Sequence, residues 1–330
     1  MVDIIKGKNI LVSGGSGSIG SEIVRQVLRY EPKVVRVLSN DENGLFNLEN
    51  ELSHCRIVRC LLGDVKDRER LRMAIENIDL VFHAAALKHV PLCEFNPFEA
   101  VKTNVIGTQN LIEMALEEEV EKLITISTDK AVNPINVMGA TKLLAERLTI
   151  SANHYKGAKK TVFSSVRFGN VLGSRGSVVP IFREQIKRGG PVTITDIDMT
   201  RFVMLLPRAV ELLLEATKVA KGAEVFVFKM PVVRILDLAE TMIEEMAPQY
   251  GYPPDSIEIK VTGKREGEKN YEELMVEEEA NNAIELDEMF VLLHRSFKRS
   301  EGEALQKRYI SKELPLLKKQ DIKKLLRGLE

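Results

Sequence analysis

The chain has 330 residues, of which 44% are hydrophobic and 29% are charged, with 47 basic side chains against 48 acidic ones. This length supports a large core with a second, smaller lobe, and the balanced charge gives no sign of a nucleic-acid-binding or membrane-binding surface. Three cysteines without a Cys-x-x-Cys pair argue against a disulfide framework, and no apolar run is long enough to cross a membrane, so we expect a cytoplasmic protein without a membrane span.

Short apolar runs alternate with helical stretches from the N-terminus to about residue 170. The predicted strands are Asn9–Ser13, Val34–Leu38, Arg56–Leu62, Asp79–Ala84, Lys122–Ser127 and Thr161–Arg167. The predicted helices are Ser21–Arg29, a helix that runs through Leu71, Pro97–Glu118 and Gly139–Tyr155. This alternation of strands and helices predicts an α/β fold with a doubly wound parallel sheet.

The pattern changes after Gly169, where a glycine- and serine-rich loop, Gly173–Pro180, begins a less regular region. Its predicted helices are Ile181–Arg188, Pro207–Ala220, Ile235–Met246 and Lys318–Leu329, and its predicted strands are Val192–Asp198 and Glu224–Phe228. We expect residues 1–171, with about 203–235, to form the main domain. About 172–202 and 236–330 are expected to form a smaller, interwoven C-terminal lobe.

A run of glycines joins the first predicted strand to the first helix. The segment Gly14-Gly15-Ser16-Gly17-Ser18-Ile19-Gly20 contains both G-x-G-x-x-G and G-x-x-G-x-x-G. Glycine is needed where the backbone turns with positive φ, approaches a pyrophosphate and packs a helix close to a strand, and the helix N-terminus offers free N–H groups to the phosphates. The loop therefore predicts an enzyme that binds a nicotinamide dinucleotide in the Rossmann manner, with contacts from Gly14, Ser16, Gly17, Ser18, Ile19 and Gly20.

The residues that follow the second strand indicate which dinucleotide is bound. The sequence there is Ser39-Asn40-Asp41-Glu42, which has no basic side chain. Asp41 or Glu42 would repel a 2′-phosphate, which favours NAD and leaves NADP as the alternative, with Asn40 and Asp41 as cofactor contacts. Asp64 and Val65, after the third strand, are placed to meet the adenine, although Asp64 also suits a helix N-cap.

Several motifs together resemble the extended short-chain dehydrogenase/reductase family. They are the G-x-x-G-x-x-G spacing, the run His83-Ala84-Ala85-Ala86 and the pair Arg167 and Asn170. Longer strings are similar to those of UDP-N-acetylglucosamine 4,6-dehydratases of surface-polysaccharide and flagellin-sugar biosynthesis, namely residues 85–91, 127–131, 139–142 and 169–177. The resemblance runs from about Lys8 to Leu274. It implies cofactor contacts from Ala84, Ala85 and Ala86, a UDP-sugar such as UDP-N-acetylglucosamine as substrate in the smaller lobe, and a homo-oligomer.

The reaction implied by this resemblance is an internal redox cycle. A hydride leaves carbon 4 of the sugar, water is lost across carbons 5 and 6, and the hydride returns to carbon 6, with or without inversion at carbon 5. The resemblance assigns Asp129 as the acid at the 6-hydroxyl, Lys130 as the base at carbon 5 and Thr128 as a hydrogen-bond partner of the reacting hydroxyl. The role of Lys130 requires a lowered pKa, through desolvation or neighbouring charges.

The sequence departs from the wider family at Met138. Most short-chain dehydrogenases have Tyr-x-x-x-Lys here, in which the lysine lies one helical turn from the tyrosine and lowers the pKa of its phenol. This chain keeps Lys142, but the thioether of Met138 cannot take a proton. We therefore expect Asp129 or a bound water to accept the proton of the 4-hydroxyl, while Lys142 holds the nicotinamide ribose and supplies positive charge.

The remaining candidates are expected to bind the nucleotide-sugar. They are Lys88, Asn104, Asn170, Arg175, Val178, Arg201, Arg265 and Glu268. Arg201 and Arg265 are favoured for the diphosphate because a guanidinium fork matches phosphate oxygens, and Glu268 is favoured for the uridine ribose. His83 and His89 have no Cys or carboxylate at metal-binding spacing, so no metal is expected.

Two other functions remain open at this point. A UDP-sugar 4-epimerase shares the fold and the first hydride step, but it has no elimination for Asp129 and Lys130 to serve. A dinucleotide-binding sensor that has lost catalysis would explain the missing tyrosine at Met138, although it would not need Asp129, Lys130 and Lys142 together. The pattern of residues therefore favours the dehydratase.

Overall fold

The computed structural model describes residues 1–293 and 308–329. Its strands are β1 Asn9–Ser13, β2 Val34–Ser39, β3 Val58–Leu62, β4 Leu80–His83, β5 Lys122–Thr128, β6 Val162–Phe168, β7 Asn170–Leu172, β8 Val192–Ile194, β9 Thr200–Leu205, β10 Glu224–Phe228, β11 Val232–Arg234, β12 Ile259–Val261, β13 Glu273–Met275, β14 Ala283–Glu285, β15 Met289–Leu293 and β16 Tyr309–Ile310. Its α-helices are α1 Val2–Ile5, α2 Ser18–Leu28, α3 Glu42–Glu51, α4 Arg68–Ile75, α5 Val90–Phe95, α6 Pro97–Val101, α7 Gly107–Glu117, α8 Val137–Tyr155, α9 Val178–Lys187, α10 Leu206–Val219, α11 Ile235–Met246, α12 Glu277–Ala280 and α13 Lys319–Arg327.

The central sheet has nine strands within the described residues, in the order β3-β2-β1-β4-β5-β6-β10-β15-β14. The strands from β3 to β10 run parallel, and β15 and β14 continue the sheet in antiparallel fashion. β1, β5 and β6 are buried along almost their whole length, as expected for parallel strands covered by helices on both faces. The order of the first six strands is that of a doubly wound Rossmann sheet, so the predicted fold class is confirmed.

Two of the differences from the predicted helices concern regions that border the site. The single helix predicted over Pro97–Glu118 consists of α6 and α7 joined by a π-helical turn, Lys102–Ile106. α3 lies where no helix is predicted, and it begins where the side chain of Asp41 accepts a hydrogen bond from Gly44 N at 2.9 Å. Both differences lie beside the carboxyl edge of the sheet, where π-turns and helix caps re-aim side chains.

The smaller lobe has a hydrophobic core of its own. Buried side chains of α9 and α11 pack there with residues of β8, β9 and β11 and with Ile322 of α13. β8 pairs with β12, and β9 lies between β7 and β11. β14 and β15 fall within the range 236–330 predicted for this lobe, yet they join the central sheet, because β15 pairs along the full length of β10.

Residues 308–329 pack against elements from earlier in the chain. β16 pairs with β13, and α13 packs on α11. Leu92, Phe95 and Phe98 on α5 and α6 are exposed, but the homo-oligomer expected from the sequence stays a prediction. Among the described helices, none combines the length and the apolar composition that a membrane span requires.

Candidate active site

A cleft of about 750 Å³ lies at the carboxyl ends of the parallel strands, where the central sheet meets the smaller lobe. The predicted site residues that line it are Gly14, Gly17, Ser18, Ile19, Gly20, Asp41, Ala84, Ala86, Lys88, Thr128, Lys130, Met138, Lys142, Asn170, Arg175, Val178, Arg201, Arg265 and Glu268. The described residues that line the cleft do not include Ser16, Asn40, Asp64, Val65, Ala85, Asn104 or Asp129. The structure thus joins the glycine loop, the end of β5 and the loops of the smaller lobe in one cavity.

The glycine loop is shaped by close backbone approaches. Gly14 has φ +67°, and a Cβ there would lie 2.5 Å from Ala85 N at the end of β4. A Cβ on Gly20 would lie 2.3 Å from Gly14 O. Both positions therefore exclude a side chain, and the N-terminus of α2, which begins at Ser18, is left open toward the cleft. This is a cradle of the kind that a pyrophosphate occupies.

The end of β2 is tied to this loop. Ser16 Oγ and Ser39 Oγ are 2.7 Å apart, so Ser16 supports the loop from behind. Asp41 uses Oδ1 to cap α3 and directs Oδ2 to Arg175 Nη1 at 3.3 Å. One Asp41 oxygen thus faces the region in which a Rossmann site receives the ribose.

Asn40, Asp64 and Val65, which are predicted to contact the cofactor, lie behind the residues that line the cleft. Asn40 Nδ2 donates to Asp64 Oδ2 at 3.1 Å, and Asp64 Oδ1 accepts from Lys66 N at 2.9 Å. Asp67, not Asp64, caps α4, because its side chain accepts the N–H three residues on. Val65 is buried. Asn40 and Asp64 therefore form the turn beside the cleft.

Thr128, Asp129 and Lys130 continue from the end of β5 into a short 3₁₀ turn. Thr128 Oγ1 and Lys130 Nζ each donate to Asp129 Oδ1 at 2.8 Å. Lys130 Nζ also donates to Asn170 Oδ1 at 3.2 Å and lies 3.6 Å from Glu272 Oε1. Asp129 is fully buried, and its Oδ2 has no hydrogen-bond partner among the described residues. The buried carboxyl group of Asp129 is thus hydrogen-bonded to the ammonium of Lys130, which lines the cleft.

The pKa of Lys130 differs from the expectation. Burial disfavours its charge, but Asp129 and Glu272 outweigh that effect, so the pKa of Lys130 is raised rather than lowered. In the structure without substrate, Lys130 is therefore an ammonium held by two carboxylates. It must lose this proton before it can act as a base.

Met138 and Lys142 lie one turn apart on α8. Lys142 Nζ donates to Ile126 O at 2.6 Å, and burial lowers the pKa of Lys142 to about 8, with the charge of Glu146 opposing the shift. Met138 is 3% exposed and packs beside Cys93 in a small apolar cluster. The position of the missing tyrosine is thus filled by a tightly packed thioether.

Asn104 supports the cleft from outside it. It lies in the π-helical turn and is fully buried. Its Oδ1 accepts from Leu87 N at 2.8 Å, and its Nδ2 donates to Leu87 O at 3.0 Å and to Thr141 Oγ1 at 2.9 Å. Asn104 therefore ties the loop after β4 to α8, whereas the sequence predicts a substrate contact.

Arg175, predicted to bind substrate, reaches toward the cofactor side instead. Its backbone N–H donates to Ser18 Oγ at 3.0 Å, and its guanidinium donates to Asp41 and to Ser16 O. Lys88 Nζ donates to Arg175 O at 2.6 Å. The glycine-rich segment after β7 thus lies across the glycine loop.

Arg201 lies in the cleft wall with its guanidinium directed to backbone carbonyls. It donates to Thr200 O at 2.8 Å, to Asn270 O at 3.2 Å and to Lys269 O at 2.8 Å. Its guanidinium is 3.9 Å from a carboxylate oxygen of Glu268. Arg201 thus holds the loop that follows β12.

The same loop presents the other two predicted residues. Glu268 Oε2 accepts from Arg265 N at 3.2 Å, and the Arg265 side chain is exposed at the edge of the cleft. Asn136 Nδ2 donates to Gly267 O at 2.9 Å, which fixes the loop against the start of α8. The Arg265 side chain is therefore accessible from the cleft.

Glu272 is a charged residue of the cleft that is not predicted from the sequence. Glu272 is 2% exposed, lies beside Lys130 and Arg201, and has a buried Oε2 without a partner in the described structure. Its sequence signal is weak: it lies four positions after the predicted Glu268 and 142 positions after Lys130. The fold alone brings it to the acid–base pair.

His83 has a structural environment. It is buried, with Nδ1 2.7 Å from Ser13 Oγ and Nε2 2.9 Å from Thr108 Oγ1, and burial lowers its pKa to about 3. The described residues contain no group of three His, Cys, Asp or Glu side chains arranged for a metal ion. His83 therefore joins β1, β4 and α7.

Comparison with known proteins adds several relatives. A protein of Methanocaldococcus jannaschii, named an uncharacterized membrane protein, is 63% identical over 98% of this chain and 96% of its own length. A UDP-N-acetylglucosamine 4,6-dehydratase (inverting) of Campylobacter jejuni is 40% identical over 88% of this chain and 84% of its own. A UDP-glucose 4-epimerase of Rickettsia typhi is 37% identical over 98% and 96%. Two further relatives in polysaccharide biosynthesis are longer, and this chain spans 48% and 45% of their lengths.

The solved structure of Pen from Bacillus thuringiensis has the same fold, with a TM-score of 0.93 and 46% identity over 98% of both chains. Residues 10–294 match the family described as polysaccharide biosynthesis protein. This match includes the glycine loop, the end of β5 and the loop that carries Glu268. The resemblance inferred from the motifs is confirmed, and the chain belongs to the polysaccharide biosynthesis protein family.

Proposed function

We propose that this chain is a UDP-N-acetylglucosamine 4,6-dehydratase that forms a UDP-4-keto-6-deoxy sugar by internal hydride transfer. The observation that carries the proposal is that Lys130, which lines the same cleft as the glycine loop, is hydrogen-bonded to the buried Asp129 directly behind the cleft wall. An elimination needs a base at carbon 5 and an acid at the 6-hydroxyl of the same sugar. A 4-epimerisation has no elimination step and so does not need this pair. The dehydratase relative at 40% identity supports this assignment.

The cleft fits a nicotinamide dinucleotide. Gly14 and Gly20 leave a backbone cradle that a Cβ would fill, and Lys142 lies below the opposite part of the cleft wall. When bound there, the nicotinamide would supply the hydride acceptor and donor of the cycle. Asp41 favours NAD, since its Oδ2, which accepts from Arg175, faces the ribose region and its charge would repel a 2′-phosphate.

The proton steps belong to the residues at the end of β5. Asp129 accepts the proton of the 4-hydroxyl and later delivers it to the leaving 6-hydroxyl, while Thr128 fixes the carboxylate through its 2.8 Å hydrogen bond. Lys130 removes the proton of carbon 5. Arg265 and Lys88 offer positive charge to the diphosphate at the other end of the cleft.

Incubation of the purified chain with UDP-N-acetylglucosamine and NAD⁺ tests the proposal. The expected product is lighter by one water in the mass spectrum. Deuterated water as solvent is expected to place deuterium on carbon 5, and NMR of that product gives the configuration there. Variants Asp129→Asn and Lys130→Met are expected to lose the product, with Lys218→Met on the exposed face of α10 as the control.

A UDP-sugar 4-epimerase is the second candidate, and the Rickettsia typhi relative favours it. It predicts a product of unchanged mass with the opposite configuration at carbon 4. A dinucleotide-binding sensor predicts an unchanged sugar. Either result in the mass spectrum and NMR assay contradicts the dehydratase.

A further inference from the structure

We propose that Glu272 and Lys130 share one proton, and that its transfer from Lys130 Nζ to Glu272 leaves a neutral amine to act as the base at carbon 5. This inference rests on the proposed function, because it names the group that prepares Lys130 for the elimination. It assigns a positioning role to a residue that acts through Lys130.

The first observation is the place of Glu272 in the cleft wall. Its carboxylate is 3.6 Å from Lys130 Nζ, while Asp129 holds the same ammonium at 2.8 Å. Asp129 is already assigned to the hydroxyl protons of the sugar. Glu272 is therefore the acidic group left to receive the proton of Lys130.

The second observation is that Glu272 has few partners of its own. Its Oε2 is buried without a hydrogen bond to any described residue, which disfavours the anionic form. Arg201 approaches only to 3.9 Å, and its hydrogen bonds go to backbone carbonyls. Glu272 is thus not committed to a hydrogen-bonded ion pair with that arginine.

The charges around Glu272 come from several elements. Lys130 and Asp129 face it from the end of β5, Arg201 from β9 and Lys269 from the preceding loop. Burial raises the pKa of Glu272 and is the largest effect; Lys130, Arg201 and Lys269 lower it, Asp129 raises it, and the net shift is upward. The carboxylate of Glu272 is therefore a stronger proton acceptor toward Lys130 than an ordinary glutamate.

The backbone of Glu272 is clasped by the C-terminal segment. Glu272 N donates to Ser311 Oγ at 3.0 Å, and Ser311 N donates to Glu272 O at 2.9 Å. Ser311 Oγ is also 2.8 Å from Thr200 Oγ1. These hydrogen bonds fix the backbone from which the carboxyl group of Glu272 reaches toward Lys130.

The proton transfer is balanced. An Nζ–H bond breaks, an Oε1–H bond forms, and the electron pair stays on nitrogen, so the net charge of the pair does not change. The amine then takes the proton of carbon 5. The electron pair of that C–H bond forms the double bond between carbons 5 and 6 as the 6-hydroxyl leaves with the proton from Asp129.

NMR of lysine labelled with ¹⁵N tests the sharing without substrate. The Lys130 signal is identified by its loss in Lys130→Met. In Glu272→Gln the pKa of Lys130 is expected to fall by about one unit or more, because one of its two carboxylate partners is neutral. Glu273→Gln is the matched control, since Glu273 accepts from Asn133 Nδ2 at 2.6 Å and does not line the cleft.

The pH dependence of kcat tests the catalytic consequence. In the wild type the proton passes inside the pair, so kcat is expected to be nearly independent of pH around neutrality. In Glu272→Gln the proton must leave to solvent, so kcat is expected to be at least about tenfold lower at neutral pH and to rise up to about tenfold per pH unit, with KM changed by less than about twofold. Glu272→Asp is expected to restore the flat profile.

The outcomes separate the two proposals. An unchanged Lys130 titration in Glu272→Gln, or a kcat reduced by the same factor at every pH, contradicts the shared proton. A wild-type protein that leaves UDP-N-acetylglucosamine intact contradicts the proposed function. In that case the NMR titration, which needs no substrate, still tests the proton sharing.

Discussion

The side-chain amide of Asn104 and the backbone of Leu87 form two hydrogen bonds in opposite directions, at 2.8 and 3.0 Å. The third bond of the amide goes to Thr141 on α8. Because Lys88 follows Leu87 and Lys142 follows Thr141, one buried amide sets the distance between two walls of the cleft. The π-helical turn around Asn104 is what directs this side chain inward.

Asn104→Ala is therefore expected to destabilise the fold and widen the cleft. The loss of one side chain leaves the N–H and C=O of Leu87 without the amide, while the hydroxyl of Thr141 keeps Met138 O as its partner, and we expect a cost of about 1–3 kcal/mol. Urea unfolding followed by circular dichroism measures the change. Gln109→Ala, on the exposed side of α7, serves as the control and should change stability by less than about 0.5 kcal/mol. Equal stability of Asn104→Ala and wild type would contradict the role of the amide.

Lys142 is expected to make the stability of the cofactor-free protein depend on pH. Its pKa is lowered from 10.5 to about 8 in the folded chain. Below about 8 both states hold the proton; between about 8 and 10.5 the unfolded chain binds the proton that the folded chain has lost, so stability rises with pH. Relative to Lys142→Met, the wild type should gain about 2 kcal/mol between pH values of about 7 and 9.5.

Urea titrations at these two pH values measure that difference. Lys218→Met, on the exposed face of α10, supplies the control for removal of a lysine. A constant difference between wild type and Lys142→Met across the range would show that Lys142 is not desolvated as the structure has it.

Met138→Tyr is expected to leave Asp129 essential. Met138 is packed among apolar side chains, so a larger ring should cost about 1–3 kcal/mol of stability. A phenol one turn from Lys142 offers a second proton acceptor, yet the buried Asp129 remains the acid for the 6-hydroxyl. Single-turnover absorbance of the reduced nicotinamide measures carbon-4 oxidation. Faster oxidation in Met138→Tyr together with full activity in its Asp129→Asn derivative would contradict the assignment of Asp129.

Features set by neighbouring residues could be predicted from the sequence, and features set by the tertiary fold could not. The spacing of Gly14, Gly17 and Gly20 is local, so it predicted both the turn and the start of α2 within a few residues. Lys130 follows a predicted strand end, and the resemblance to 4,6-dehydratases assigns its role. Its raised pKa could not be predicted, because Glu272 approaches it only when β13 is placed beside the end of β5.

The polar residues whose surroundings differ from the expectation form hydrogen bonds with backbone N–H and C=O groups. Arg201 carries a guanidinium suited to phosphate, but one carbonyl of β9 and two carbonyls of the loop that follows β12 occupy its donors. Nothing in the sequence around Arg201 distinguishes these two uses. The partner carbonyls of Lys269 and Asn270 are 68 and 69 residues away along the chain.

Asp41→Asn is expected to weaken the preference for NAD⁺ over NADP⁺. Asn keeps the oxygen that caps α3 but removes the charge that faces Arg175, so a 2′-phosphate meets Arg175 without a competing carboxylate. The affinity ratio should shift toward NADP⁺ by about tenfold or more, measured by isothermal titration calorimetry. Glu42→Gln, one residue on and exposed, tells whether the discrimination belongs to Asp41 alone. A larger shift in Glu42→Gln would assign it to that residue.

Ser311→Ala is expected to show that the C-terminal segment belongs to the cleft. The hydroxyl accepts from Glu272 N and pairs with Thr200, and all three residues are buried. Its removal leaves two buried polar groups without a partner, at a cost of about 1–3 kcal/mol in urea unfolding. Ser256→Ala, an exposed serine bonded only to Pro253 O, should change stability by less than about 0.5 kcal/mol. Since β16 would then hold β13 through backbone pairing alone, KM for the UDP-sugar should rise more than in Ser256→Ala; equal values in the two variants would separate Ser311 from the site.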